Sequence, residues 1–131
     1  MPNVKTMPST AYNRTISTIR DYPRMVYEVE RLRRDTASVK ATNYNDMPSG
    51  GTPSGIDDKI ARLVDLERDV EKMREVIDTI PADMRDGIMN NVMYGIGFPR
   101  NSDGFLVPSF STWKREKQKF VVLMAHKMRI Y

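Results

Sequence analysis

The chain contains no cysteine. That absence removes disulfides, thiolate metal sites and a cysteine nucleophile together, and it fits a reducing cytoplasm. Histidine is nearly as scarce: His126 is the only one, so imidazole and thiolate ligands cannot assemble a transition-metal site from this chain. No metal and no cofactor is expected. The longest uninterrupted apolar run, residues 120–125, is six residues long, far from the roughly 20 needed to cross a bilayer. The first fifteen residues lack the apolar core of a secretory signal. No membrane partner is therefore expected, and Asn13-Arg14-Thr15 is a chance match to a glycosylation sequon.

Catalytic patterns are missing as well. Gly95-Ile96-Gly97 lacks the third glycine of a dinucleotide fingerprint and follows a helical rather than a strand pattern. There is no phosphate-binding P-loop and no Gly-x-Ser-x-Gly. Carboxylates are plentiful, but they fall on the charged faces of helices, where nothing raises their pKa for acid–base work. The expectation is a protein that is not an enzyme.

What is present is charge, unevenly distributed. The net charge is +4 over 131 residues. Residues 1–40 hold 8 Lys/Arg against 4 Asp/Glu, residues 41–98 hold 6 against 11, and residues 99–131 hold 7 against 2. The segments thus carry +4, −5 and +5. Such a basic–acidic–basic order suits a chain whose ends meet a polyanion while its middle meets solvent or another protein. A hydrophobic content of 40% with ten methionines supports a modest, adaptable core in one domain.

Periodicity points to an all-α fold. A flexible N-terminus over 1–8 precedes a short helix over 9–20, with Ser9 or Thr10 as its cap. From Tyr22, apolar positions at Met25, Val29, Leu32, Thr36 and Val39 step by three and four, a heptad seam. Residues 41–54 are rich in Asn, Ser, Gly, Pro and Thr and read as a mobile loop. Ser54 then caps a helix from about 55 to 79, seamed by Ile56, Ile60, Leu63, Leu66, Val70, Met73, Ile77 and Ile80. These two elements form a long antiparallel, coiled-coil-like hairpin, so that 9–80 is one region. A two-helix seam is a narrow core. Either the C-terminal region or a second copy of the chain must cover it, and the reading favours a homo-oligomer.

Pro81 separates a C-terminal module, 81–131. A helix over 82–94 carries Met84, Ile88 and Val92 inward and stops at Gly95. Asn101-Ser102-Asp103-Gly104 is a tight turn or small hairpin. Ser109 caps a last helix. Projected at about 100° per residue, Phe110, Trp113, Phe120, Met124 and Met128 share one side. Ser111, Lys114, Arg115, Gln118 and Lys119 share the other, with Thr112 in the same first turn. Long cations, an amide and short hydroxyls are the groups that meet phosphates and base edges in a DNA groove. Ser111, Thr112, Lys114, Arg115, Gln118 and Lys119 are therefore the candidate DNA-binding residues. The same face is also what an ordinary solvated surface helix displays. The cluster Arg31, Arg33, Arg34 is a further candidate for DNA support, equally well explained as a solvated helix flank.

Taken in order, several motifs resemble a known family. Ile19-Arg20-Asp21-Tyr22-Pro23 leads into Val29-Glu30-Arg31-Leu32-Arg33; Gly50-Gly51 precedes an Asp-rich helix start; and Ser111-Thr112-Trp113-Lys114-Arg115 is followed by Lys117, Lys119-Phe120 and Ala125-His126-Lys127-Met128. This order resembles the phage-encoded late-gene transcriptional regulators of Gram-positive bacteria, the RinA/ArpU-like family, over residues 10–131. The resemblance implies a sequence-specific, double-stranded-DNA-binding regulator of phage or prophage genes, working in the bacterial host's cytoplasm. Its helix-turn-helix would be similar to sigma-factor region 4, with the last helix as reader and host RNA polymerase as a further candidate partner. Where that family carries a supporting helix, this chain has GIGFPRNSDGFLVP, with two prolines and three glycines, which cannot form a normal helix. The competing readings are a helical interaction protein that binds a host protein, such as RNA polymerase or a defence factor, and a small DNA-packaging subunit.

Overall fold

The computed structural model describes residues 7–46 and 55–131, without the side chains of 38–46. The described residues are all-α: α1 (Ser9–Arg20), α2 (Tyr22–Asp46), α3 (Ile56–Ile77), α4 (Ala82–Tyr94) and α5 (Phe110–Lys127). Their only extended pairing is an isolated antiparallel bridge between Arg100 and Leu106. No helix among them is long and apolar enough to cross a membrane.

Chemistry at the helix ends explains most boundaries. Pro8 occupies the α1 N-cap position, with no side-chain cap bond. The expected Ser9 or Thr10 cap is thus replaced by a residue that needs no N–H, and Pro8 C=O accepts the Tyr12 N–H at 3.0 Å. Thr15 is fully buried, which its hydroxyl tolerates by donating to Ala11 C=O at 2.7 Å. Asp21 keeps a right-handed helical conformation at the α1 C-cap, and the chain turns directly into α2. Pro23 falls in the first turn of α2, where its missing N–H costs nothing.

The second helix is longer than expected. It runs through Asp46, so the first six residues of the expected 41–54 loop are helical. Asn, Thr and Tyr are only moderately poor helix formers, and the strong breakers, Pro and Gly, begin at Pro48. The rest of that loop and the Ser54 cap lie outside the described residues, as do residues 1–6 of the expected flexible N-terminus; Met7 is buried.

Two compact units make up the chain, one of Met1–Tyr22 with Lys72–Tyr131 and one of Pro23–Glu71. The second contains most of α2 and α3. Of its expected seam positions, Met25, Val29, Leu32, Thr36, Ile56 and Val70 are buried, while Ile60, Leu63 and Leu66 are half-buried. Ion pairs that link the two helices include Glu28–Arg62 at 3.0 Å, Glu67–Arg33 at 3.0 Å and Asp35–Lys59 at 3.9 Å. Arg31 also pairs with Glu28, at 2.8 Å.

In the first unit α1 packs on α5 and α4, and α4 packs on α5. This differs from the expected grouping of residues 9–20 with the hairpin. Ile19, Met73, Ile88, Val92, Trp113, Phe120, Val121 and Met124 form its centre. Two contacts set its geometry. Gly87 brings α4 against the Trp113 ring so closely that a Cβ there would lie 2.7 Å from Cη2. Phe98, from the 95–109 connection, stacks on the Trp113 ring at 4.9 Å and 11°. Arg85 reaches back to the C-terminal end of α3, donating to the carbonyls of Asp78 and Ile80 at 3.1 and 3.0 Å. Gly95, at φ 69°, ends α4 in the left-handed conformation.

Candidate nucleic-acid interface

The first half of α5 is the candidate surface. Ser109 occupies its N-cap but makes no side-chain bond to the backbone. Its hydroxyl lies 3.1 Å from both Ser111 Oγ and Thr112 Oγ1, forming a small hydroxyl cluster at the helix start. Trp113, one residue on, is 1% exposed and fixes the helix against the core. Its indole N–H has no partner among the described residues, so it anchors through its ring.

Ser111, Lys114, Arg115 and Lys119 are exposed, while Thr112 and Gln118 are half-buried. The structure therefore brings the six sequence-derived residues together along one side of α5. The one acid of this half, Glu116, is half-buried and projects toward the Phe120 edge rather than the middle of that side. Among the described residues, Lys114, Arg115 and Lys119 have no ion pair, whereas Arg31, Arg33, Lys59, Arg62, Arg68 and Lys127 all do. Two of the three arginines in the 31–34 cluster are thereby engaged within their own unit. His126 is exposed and lies 6.2 Å from the Tyr131 ring. No group of three His, Cys, Asp or Glu that could hold a metal occurs among the described residues.

Two expectations for α5 change. Phe110, expected on the buried side, is 56% exposed. It begins the helix ahead of the packed face, and Phe98 takes the place over Trp113, leaving Phe110 tilted against Phe98 at 6.3 Å. Also, the two-sided character stops at Lys119. Phe120, Val121, Val122, Met124 and Ala125 are all buried, although Val122 projects to the middle of the polar side. The second half of α5 is a core helix, and only the first half has a polar face.

The connection between α4 and α5, residues 95–109, contains no helix. Asn101 shapes its turn as expected: its Oδ1 accepts the N–H groups of Asp103 and Phe105, each at 3.0 Å. The Gly104 N–H reaches Asn101 C=O at 3.0 Å. Arg100 Nη1 donates to Gly104 C=O at 2.7 Å.

Sequence reasoning missed a cleft beside this face. One cavity of about 270 Å3 is lined by Tyr12, Asn91, Phe98, Phe110, Lys114 and Lys117, among others. A neighbouring one of about 400 Å3 is bounded by Asn13, Ser17, Arg20 and Lys117. Both lie between α1, α4 and α5. Two signals were readable: α1 has no acidic residue, and Lys117 falls between Trp113 and Val121 on the apolar side of the α5 projection. Burial pushes the Lys117 ammonium pKa below its ordinary value, and the Arg20 charge pushes it further the same way. Comparison of the chain with protein-family models, curated proteins and solved structures finds no match.

Proposed function

We propose that the chain is a sequence-specific DNA-binding transcriptional regulator of phage or prophage genes, not an enzyme, with the first half of α5 as its reader. The observation that carries this reading is the set of exposed cations Lys114, Arg115 and Lys119, without ion pairs among the described residues, on a helix half that Trp113 locks to the core. On α2 and α3, by contrast, Arg31, Arg33, Lys59, Arg62 and Arg68 sit in ion pairs, although Arg34 and Lys72 do not among the described residues. A face of unengaged cations, an amide and hydroxyls matches a phosphate backbone and base edges. The groove would be met by α5 without a preceding supporting helix, the 95–109 connection taking that position. In this reading Pro23–Glu71 is an antiparallel helical hairpin, held by the Glu28, Glu67 and Asp35 ion pairs. It is the part offered to a second copy or to host RNA polymerase, and the setting is the host cytoplasm.

Fluorescence anisotropy against late-promoter duplex DNA tests it. Binding should weaken steeply with salt. The Lys114→Ala/Arg115→Ala double variant should flatten the log–log slope by roughly 1.8, at about 0.9 for each phosphate no longer neutralised. Salt-insensitive binding, or a double variant indistinguishable from the parent, sinks the reading.

A second reading has its own observation. Tyr94, Ile96, Phe105, Val107 and Phe110, all within one short stretch, are more than half exposed, and exposed apolar side chains that form one patch mark interaction sites. They favour a helical interaction protein that docks on a host protein. Recovery of one host partner that survives nuclease treatment and disappears on Phe105→Ser would support this reading over the first.

A further inference from the structure

We infer that the cleft between α1, α4 and α5, where Arg20 and Lys117 line one space, is a binding site for a phosphate group. Neither residue belongs to the α5 face described above. The site stands on its own geometry, and only the DNA arm of its test rests on the reader assignment.

Arg20 is held in place. Its Nε donates to the carbonyl of Val92 near the end of α4 at 2.9 Å, which fixes the guanidinium plane and leaves its Nη groups without an acceptor among the described residues. Lys117 enters from α5 and is half-buried, its stem passing along the apolar side of the helix. Ser17 and Asn13 add a hydroxyl and an amide from α1. Among the described residues, no carboxylate lines this cleft. Asp21, the acid next to Arg20 in sequence, lines an adjoining space with Arg14, Ser17 and Arg20. Glu116, the acid next to Lys117, is not on the cleft wall either.

Lys117 is half-buried beside the Arg20 charge with no carboxylate on the cleft wall, which makes its ammonium less stable as an ion. The lowered Lys117 ammonium pKa reflects that desolvation first and the repulsion from Arg20 second. A bound anion offsets both. The donors converge from two helices, so the matching shape is an oxyanion that presents oxygens in several directions. A planar carboxylate would satisfy the guanidinium fork alone. The cleft, at about 400 Å3, admits a phosphate with a substituent. That phosphate belongs either to a nucleic-acid backbone or to a free phosphate-bearing small molecule.

The full chain and its Lys117→Gln variant distinguish the sources, with Lys117→Arg as the rescue and circular dichroism confirming the fold of each. In the first arm, duplex DNA is titrated by anisotropy over a sodium chloride series. A backbone phosphate in the cleft predicts about fivefold weaker binding for Lys117→Gln at low salt, a slope flatter by about 0.9, and recovery in Lys117→Arg. In the second arm, thermal melts compare inorganic phosphate with chloride at matched ionic strength. A free phosphate predicts a rise in Tm for the parent that Lys117→Gln does not show. No difference between parent and Lys117→Gln in both arms overturns the site. Weaker DNA binding at unchanged slope, with no phosphate-dependent melt, also overturns it, because that pattern reports packing rather than a phosphate contact. If duplex DNA binds neither protein, the reader assignment falls and the phosphate melts alone decide the cleft.

Discussion

Gly87 sets how closely α4 approaches α5. An added Cβ would lie 2.7 and 2.8 Å from Cη2 and Cζ3 of Trp113, and 3.1 Å from Cδ of Pro99. The ring cannot withdraw easily, since it is 1% exposed and stacked on Phe98 at 4.9 Å. Glycine inside a helix ordinarily loses about 1 kcal/mol to alanine, so helix propensity alone favours replacing it. Overpacking a tight contact costs about 1–3 kcal/mol, and here the second effect wins. Gly87→Ala should destabilise the protein by about 1 kcal/mol, read as a lower urea midpoint. Trp113 fluorescence is the natural signal, because it is the only tryptophan and sits at the contact. A midpoint equal to or above the parent's would mean that the ring and α4 separate at little cost.

Between elements, Glu28 makes a polar link with two arginines. It is buried on α2, 2.8 Å from Arg31 on its own helix and 3.0 Å from Arg62 on α3. The Arg31 hydrogen bond, with the charges of Arg31, Arg62 and Arg24, holds its carboxyl below the ordinary value of 4.5 against the opposing effect of burial. A carboxylate with a depressed folded pKa stabilises fully above its unfolded value and loses that contribution as pH falls through the folded one. Glu28→Gln should therefore melt lower than the parent at neutral pH, and the two far-UV melting curves should converge as pH drops below 4.5. A gap that persists unchanged into acid would assign the effect to packing. At this scale the helices were largely legible from sequence, because Pro8, Pro23, Pro81 and Gly95 punctuate them and the buried seam positions repeat by three and four. The run of α2 through Asp46 was not, since moderate helix formers leave its end undefined until a strong breaker arrives. Nor was the burial of 120–125 on nearly every side: a helix projection assigns faces, but only the tertiary packing says how many are covered. For the same reason the α5 cations could be named from periodicity, while Arg20, far upstream on α1, could not be joined to Lys117 without the fold.

For the molecule as a whole, the question is whether its charge acts as a total or as a place. The net +4 conceals segments of +4, −5 and +5, and any polyanion feels a positive chain to some degree. A reader face makes a sharper demand. At about 0.1 M salt the Debye length is about 10 Å, so a charge further away than that barely reaches a phosphate held at α5. Lys114 shares a cavity wall with Asn91 of α4, whereas Asp83 lies eight residues earlier on that helix, about 12 Å along its axis. Lys114→Gln and Asp83→Asn each change the net charge by one, in opposite directions. If binding follows total charge, they should weaken and strengthen DNA affinity by similar factors. If it follows the α5 face, Lys114→Gln should weaken it severalfold and flatten the salt slope by about 0.9, while Asp83→Asn leaves both within about twofold of the parent. Anisotropy on the two single variants separates the alternatives. Equal and opposite shifts would reduce α5 to one cationic surface among several, whereas the asymmetric result would mean that the cationic half of α5 is where the polyanion sits.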